Sequence, residues 1–299
     1  MTNLSLALQI GQIMFPMVFI IGIGYFVGTK TSPSLGSMNE INLNIFIPAL
    51  VFSSLVEQQF DFNQYAILAI AGVLLIIATA LLAIICARLV STEYNTVAPT
   101  MMFHNAGNIG LPLMTLALGS EGLAAAVILF LIGNMLHFGL GTYMLDHKAR
   151  WTRSLSSPAI IAALLALSLQ SQAIGVADFV LLPVQMLGNI AVPLMLLALG
   201  IQLAKANFDF WQLGLSIGLM SPIIGVSLSV LLALILPLDN IQTAALVLFG
   251  ALPPAVMNFL FAQRYCQEPS KVSAIVMLGN ILALFTLPLA LLYVLPNYT

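Results

Sequence analysis

Charge is what this 299-residue sequence has least of: eight Lys and Arg and ten Asp and Glu, 6% of the chain. A soluble domain carries roughly 25% charged residues. So few charges cannot cover a water-facing surface, which excludes a soluble globular protein and makes lipid the solvent for most of the chain. The hydrophobic share of 61% and the mean hydropathy of +1.09 agree. Cysteine is scarce too. Cys86 and Cys266 are too few for a disulfide framework, and neither sits in a C-x-x-C or Cys/His cluster. No basic run is present, so no nucleic-acid partner is expected. The N-terminus lacks a positive n-region, and its apolar stretch continues through Ile21 and Val27. That is too long for a signal-peptide core and reads as a retained first helix.

What is present is apolar runs of spanning length. A spanning helix needs about 20 apolar residues, so ten spans use about 200 residues and leave no room for a soluble domain. The pattern predicts an all-α membrane protein with spans at 6–28, 38–56, 65–89, 95–118, 121–145, 157–175, 183–203, 210–236, 240–263 and 271–295. Thr31-Ser32-Pro33, Ser156-Ser157-Pro158 and Pro237-Leu238-Asp239-Asn240 punctuate the breaks. In this arrangement all eight basic residues (Lys30, Arg88, Lys148, Arg150, Arg153, Lys205, Arg264 and Lys271) fall on one side. Glu57, Asp61, Glu121, Asp178 and Asp239 fall on the other. The positive-inside rule makes the basic side cytoplasmic. The expected location is therefore the cell (inner) membrane with both termini non-cytoplasmic.

The chain repeats itself. Asn44-Ile45-Phe46-Ile47-Pro48 resembles Asn189-Ile190-Ala191-Val192-Pro193, Phe60-Asp61-Phe62 resembles Phe208-Asp209-Phe210, and Gly133-Asn134-Met135-Leu136 resembles Gly279-Asn280-Ile281-Leu282. The order is kept and the offset stays near 146, which indicates duplication. The halves are 1–150 and 151–299, five helices each. Five is odd, so the second copy crosses in the opposite sense, an architecture that recurs in transporters.

Spans 4 and 9 hold matching positions, and both have polar, helix-breaking centres. Span 4 carries His104-Asn105-Ala106-Gly107-Asn108-Ile109-Gly110-Leu111-Pro112, and span 9 carries Gly250-Ala251-Leu252-Pro253-Pro254-Ala255-Val256-Met257-Asn258. At the repeat offset Asn108 matches Pro254 and Pro112 matches Asn258. A proline cannot donate to the carbonyl four residues back and pushes it aside. Unpaired backbone groups in hydrocarbon are tolerated only where protein or a polar cavity satisfies them. Each break also exposes a half-helix N-terminus with free N–H donors. Discontinuous spans 4 and 9 are therefore expected to cross near the midplane and form a binding site with Asn105, Asn108, Pro112, Pro253, Pro254 and Asn258. Asn44 and Asn189 read equally as helix–helix glue or as site lining, and Asn134 taken singly reads as glue. No Asp, Glu, Lys or Arg lies at the centre of a span. His104, beside the first break, is a candidate for proton coupling. No charged ring or filter loop indicates a channel, and no nucleophile–base pair or metal cluster indicates an enzyme.

These residues resemble the auxin efflux carrier family, within the wider bile acid/sodium symporter-like fold. The resemblance rests on the ten-helix plan, on 105–112, on 250–255 and on the Asn-x-x-x-Pro elements of spans 2 and 7, and it covers essentially the whole chain. It implies a scaffold of spans 1, 2, 6 and 7 that forms a homodimer, and a transport unit of spans 3–5 and 8–10 that moves as an elevator. It also implies a small organic anion, such as a carboxylate, at the crossing of spans 4 and 9. The 5–6 connection, about Asp146–Ser157, lacks the large loop of the plant exporters and is similar to compact bacterial members. No cofactor is expected. Coupling to sodium, in a symporter of the bile acid type, or to protons stays open. So does a membrane sensor or interaction protein that keeps a carrier fold.

Overall fold

The computed structural model describes residues 3–31, 33, 35–57, 62–146, 157–172, 174–204 and 209–298. Lys148, Arg150, Arg153, Lys205, Asp61 and the paired Phe60 and Phe208 lie outside the described residues. Among the described residues the chain is helical throughout, and seven helical stretches are long and apolar enough to cross a membrane.

The helices are α1 (Asn3–Lys30), α2 (Leu35–Glu57), α3 (Phe62–Leu89) and α4 (Tyr94–Met102). A stretch from Ala106 to Leu145 follows. Its 40 residues would extend about 60 Å at 1.5 Å per residue, twice a hydrocarbon core of about 30 Å. It is interrupted at Gly119, whose φ of 67° and ψ of −152° suit glycine almost alone. The stretch is thus two helices, α5 (106–118) and α6 (120–145), and the interruption falls where the sequence places the boundary between spans 4 and 5. Then come α7 (Pro158–Ser171), α8 (Asp178–Leu203), α9 (Trp211–Ile235), α10 (Asn240–Ala251), α11 (Met257–Arg264) and α12 (Pro269–Tyr298).

Prolines leave local marks. Pro48 cannot donate back to Asn44, and the helix opens into a wide turn over Asn42–Phe46 just before it. Pro112 is likewise preceded by a wide turn over Ala106–Gly110. The first break lies at 103–105, upstream of the proline. Pro112 stands only two residues into the regular helix that begins at Leu111, where a missing N–H costs little. The second break spans 252–256, around Pro253 and Pro254.

Packing pairs the helices in a regular way. α1 lies along α8 and α2 along α7; α3 packs on α4 and α9 on α10; α3 packs on α6 and α9 on α12. Contacts between helix ends sort them onto two faces. Gly28 meets Ala204, and Gln267 donates to Glu93 Oε2 at 2.9 Å, on the face of Lys30 and Arg264. Gln185 donates to Glu57 on the opposite face, where Tyr65 lies within electrostatic reach of Asp239 and Glu121.

Candidate functional site

The two breaks meet. Residues 103–105 and 253–255 run antiparallel with His104 opposite Pro254. Asn105 N–H donates to Pro253 O at 2.7 Å, and Ala255 N–H donates to Phe103 O at 2.8 Å. Extended backbone at Phe103 (φ −108°, ψ 103°) and Leu252 (φ −64°, ψ 145°) makes this possible. The prolines lack an N–H, so Ala255 supplies the donor on its side. The remaining carbonyls are also engaged. Ala106 N–H reaches His104 O at 2.8 Å, and Ile109 and Gly110 N–H both reach Asn105 O at 3.1 Å. Asn280 Nδ2 reaches Pro254 O at 3.0 Å, and Asn258 Nδ2 reaches Phe103 O at 3.2 Å. Irregular backbone inside an apolar bundle requires this kind of accounting.

Beside the crossing lies a cavity of about 430 Å³. One wall is α2, with Asn39 and Glu40 just before its wide turn and Asn42 and Asn44 within it. A second is the first break and first turn of α5, with His104, Asn105, Gly107 and Asn108. α6 contributes Phe130, Asn134, His137 and Phe138, α8 contributes Met195 and Gln202, and 255–260 close the space. Among the described residues no Lys or Arg lines it; Glu40 is its one charged group.

Several lining groups are buried without a partner: Asn42 Oδ1, both ring nitrogens of His104, His137 Nε2 and Gln202 Oε1. A buried polar group left unpaired costs about 1–3 kcal/mol, so a partner that reached any of these groups would recover part of that cost. His137 is held rigidly, with its ring stacked on Phe103 at 4.2 Å and edge-on to Phe261 at 4.9 Å.

The structure divides the residues singled out in the sequence. Asn44, His104, Asn105 and Asn108 line the cavity. Pro253 and Pro254 build the crossing through their carbonyls, and Asn258 is buried behind it, 2% exposed. Pro112 stands in the opening turn of the regular helix, and Asn189 lies outside the lining, on α8. Asn134, which the sequence alone reads as helix–helix glue, lines the cavity. Its match to Asn280 was visible, but its exposure to the cavity was not. Glu40, Asn42 and Gln202 gave no signal beyond being polar near helix ends.

A multi-span helical bundle with two broken helices crossing beside a polar cavity defines a membrane transport protein, not an enzyme. The chain matches the model of the family described as "Membrane transport protein" over residues 10–150 and 146–291. A protein of Methanothermobacter thermautotrophicus described as an uncharacterized transporter is 26% identical over 306 residues, an alignment covering 93% of this chain and 96% of that one. The chain belongs to the membrane transport protein family, the auxin efflux carrier-like family its motifs resemble.

Proposed function

We propose that the protein is a secondary transporter of small organic anions, carboxylates in particular, working by elevator-type alternating access. One observation carries the reading. The open cavity is lined by Asn134, His137, Phe138 and Ala255. A small apolar recess of about 20 Å³, scarcely one water in size, has Asn280, Ala283, Leu284 and Ile109 in its lining. At an offset of 146 these are the same four positions in the other repeat. An open polar cavity and a collapsed counterpart at repeat-related places are what alternating access between inverted repeats requires.

The helix pairing supports the same reading. α4 with α5 and α10 with α11 each make one broken span, which gives ten in all. The pairs α1–α8 and α2–α7, and α3–α4 and α9–α10, then correspond under the repeat. Close glycine contacts group the helices into two bodies. A Cβ on Gly24 would lie 2.2 Å from Leu197 O, and one on Gly200 2.0 Å from Ile21 O, so α1 and α8 touch backbone to backbone. A Cβ on Gly225 would lie 2.0 Å from Gly250 O, joining α9 to α10. The close contacts at Gly72, Gly107, Gly110, Gly141, Gly188, Gly214, Gly218 and Gly279 bring no backbone of the scaffold (α1, α2, α7, α8) against backbone of the transport unit (α3–α6, α9–α12). A seam of side chains can slide where a glycine lock cannot. The exposed lining residues Gly36 and Glu40 follow Lys30 closely, so the cavity opens toward the basic, cytoplasmic side. The scaffold is also the surface for a homodimer within membrane lipid.

The first turn of α5 supports an anionic substrate. The amides of Gly107 and Asn108 stand where a helix has no carbonyl of its own to receive them, and both residues line the cavity. A sodium-coupled scheme has less to draw on at the crossing, because the carbonyls from Phe103 to Asn105 and of Pro253 and Pro254 are already engaged. His104 stays the candidate for proton coupling, since it lines the cavity and both its ring nitrogens are buried without a hydrogen-bond partner. A sensor that keeps the carrier fold would bind ligand and move none.

The test is a thermal-shift screen of mono- and dicarboxylates, with and without sodium, followed by uptake of the hits into proteoliposomes. Carboxylates are expected to bind and to be transported. A screen in which simple amines bind and carboxylates are ignored overturns the substrate class, and binding without uptake overturns the carrier.

A further inference from the structure

Two spaces border the first turn of α5. The open cavity has Gly107 and Asn108 of that turn in its lining, together with Met195 of α8. The small recess has Ile109 of the same turn, together with Leu199 and Leu203 of α8. Met195 and Leu199 stand one helical turn apart. The contact between the first turn of α5 and α8 therefore lies between the two spaces and partitions them.

Gly107 stands in that partition. A Cβ on it would lie 3.3 Å from Phe130 Cε2 and 3.8 Å from Met195 Sδ. Phe130 is on α6, in the transport unit, and Met195 is on α8, in the scaffold. At Gly24, Gly200 and Gly225 the close neighbours belong to one body; at Gly107 they come from both. The φ of Gly107 is not left-handed, so its backbone conformation does not call for glycine. What the missing side chain provides is a bare surface at the seam, and Met195, 1% exposed, is laid against it. Methionine suits that place. Its unbranched chain has three rotatable bonds and adapts to a changing surface, whereas side chains that interdigitate at interior density cannot slide.

We propose that Met195 is a gate carried by the scaffold. Its thioether, lying on the bare backbone of Gly107, seals the cavity from the recess and lets the first turn of α5 pass when the transport unit moves. This rests on the elevator reading, because a seam has to slide only if one body moves against the other.

The test follows the motion directly. In the Cys86→Ser background, one dye is placed on Thr31→Cys, exposed just past the scaffold helix α1. A second is placed on Cys266, exposed just past α11 of the transport unit. Energy transfer in single full-length molecules in nanodiscs, with no substrate added, reports the distance between the bodies. A carrier that returns empty exchanges between two distances, and the parent is expected to do so. Gly107→Val, checked for an unchanged Tm, is expected to exchange about tenfold more slowly or worse. Adding Met195→Ala to Gly107→Val is expected to restore the rate, and adding Phe130→Leu is not. Parental exchange in Gly107→Val overturns the proposal. So does rescue by Phe130→Leu without rescue by Met195→Ala, which would put the contact inside the transport unit. Should Gly107→Val not fold, Met195→Ala alone decides: faster exchange is expected, and a parental rate overturns the gate. A parent fixed at one distance overturns the elevator reading itself, and the gate with it.

Discussion

The carboxamides of Asn105 and Asn280 are joined, Asn105 Nδ2 donating to Asn280 Oδ1 at 2.7 Å. Asn280 in turn donates to Pro254 O at 3.0 Å and Val276 O at 2.7 Å, so one side chain ties both breaks to α12. Its repeat counterpart Asn134 makes no such set and lines the cavity instead. Asn280→Ala would orphan Asn105 Nδ2 and Pro254 O inside the bundle and is expected to cost about 2–4 kcal/mol of stability. Asn134→Ala is expected to leave the Tm unchanged and weaken substrate binding. Denaturation in detergent and a binding titration on both variants check this; equal destabilisation would make Asn134 structural as well.

Asn108 and Asn258 are also repeat-related to prolines, and they part in the same way. Asn108 lines the cavity, whereas Asn258 is buried and donates to Phe103 O. Asn108→Ala is expected to lower affinity roughly tenfold to a hundredfold, the worth of a hydrogen bond to a charged group of about 1.5–3 kcal/mol. Asn258→Ala is expected to act first on the Tm. Unchanged affinity in Asn108→Ala would move the site elsewhere.

On the basic face, the connection from α11 to α12 is clasped to α4. Thr96 donates to Glu268 Oε2 at 2.6 Å, and Lys271 pairs with Glu268. Burial alone would raise the Glu268 carboxyl, but hydrogen bonds from Lys271 and Thr96 and the Lys271 charge outweigh it and hold it below its ordinary value of 4.5. A depressed carboxylate stabilises the fold fully above that ordinary value and loses the contribution as pH falls through the folded value. The Tm gap between the parent and Glu268→Gln should therefore be present at pH 7 and close on acidification below 4.5. A gap independent of pH would assign the clasp to shape rather than charge.

Alternating access makes Ala283 a reporter. It is 2% exposed here and lines the small recess. With Cys86 and Cys266 replaced by serine, Ala283→Cys should resist a membrane-impermeant maleimide at rest and react from the face opposite Lys30 during transport. Asn134→Cys should react at rest from the Lys30 face. Transport without labelling at 283 would contradict the collapsed-pathway reading.

A ten-span arrangement with all basic residues on one side predicts both termini outside the cytoplasm. Reporter fusions at the C-terminus should be active only in the non-cytoplasmic compartment; a cytoplasmic C-terminus would remove the ten-span arrangement.

Composition and local pattern made the membrane class, the helix boundaries near Lys30, Leu89, Leu203 and Ile235, and the two breaks legible. An apolar run has to be a spanning helix because its backbone can be satisfied only within itself, and a proline disrupts its own turn whatever surrounds it. Which asparagine binds and which braces was not legible, because Gly133-Asn134 and Gly279-Asn280 are the same local motif. The tertiary structure decided it through the partners each one meets. Asn280 faces the side chain of Asn105 and the carbonyl of a proline. At the repeat-related places Asn134 would face Ala251, which has no side-chain amide to give, and the backbone of Asn108. With that partner missing, its carboxamide is left to the cavity. The orphaned groups of Asn42, His104, His137 and Gln202 come from four separate parts of the chain, and only the packing of α2, α6 and α8 around the crossing brings them to one space.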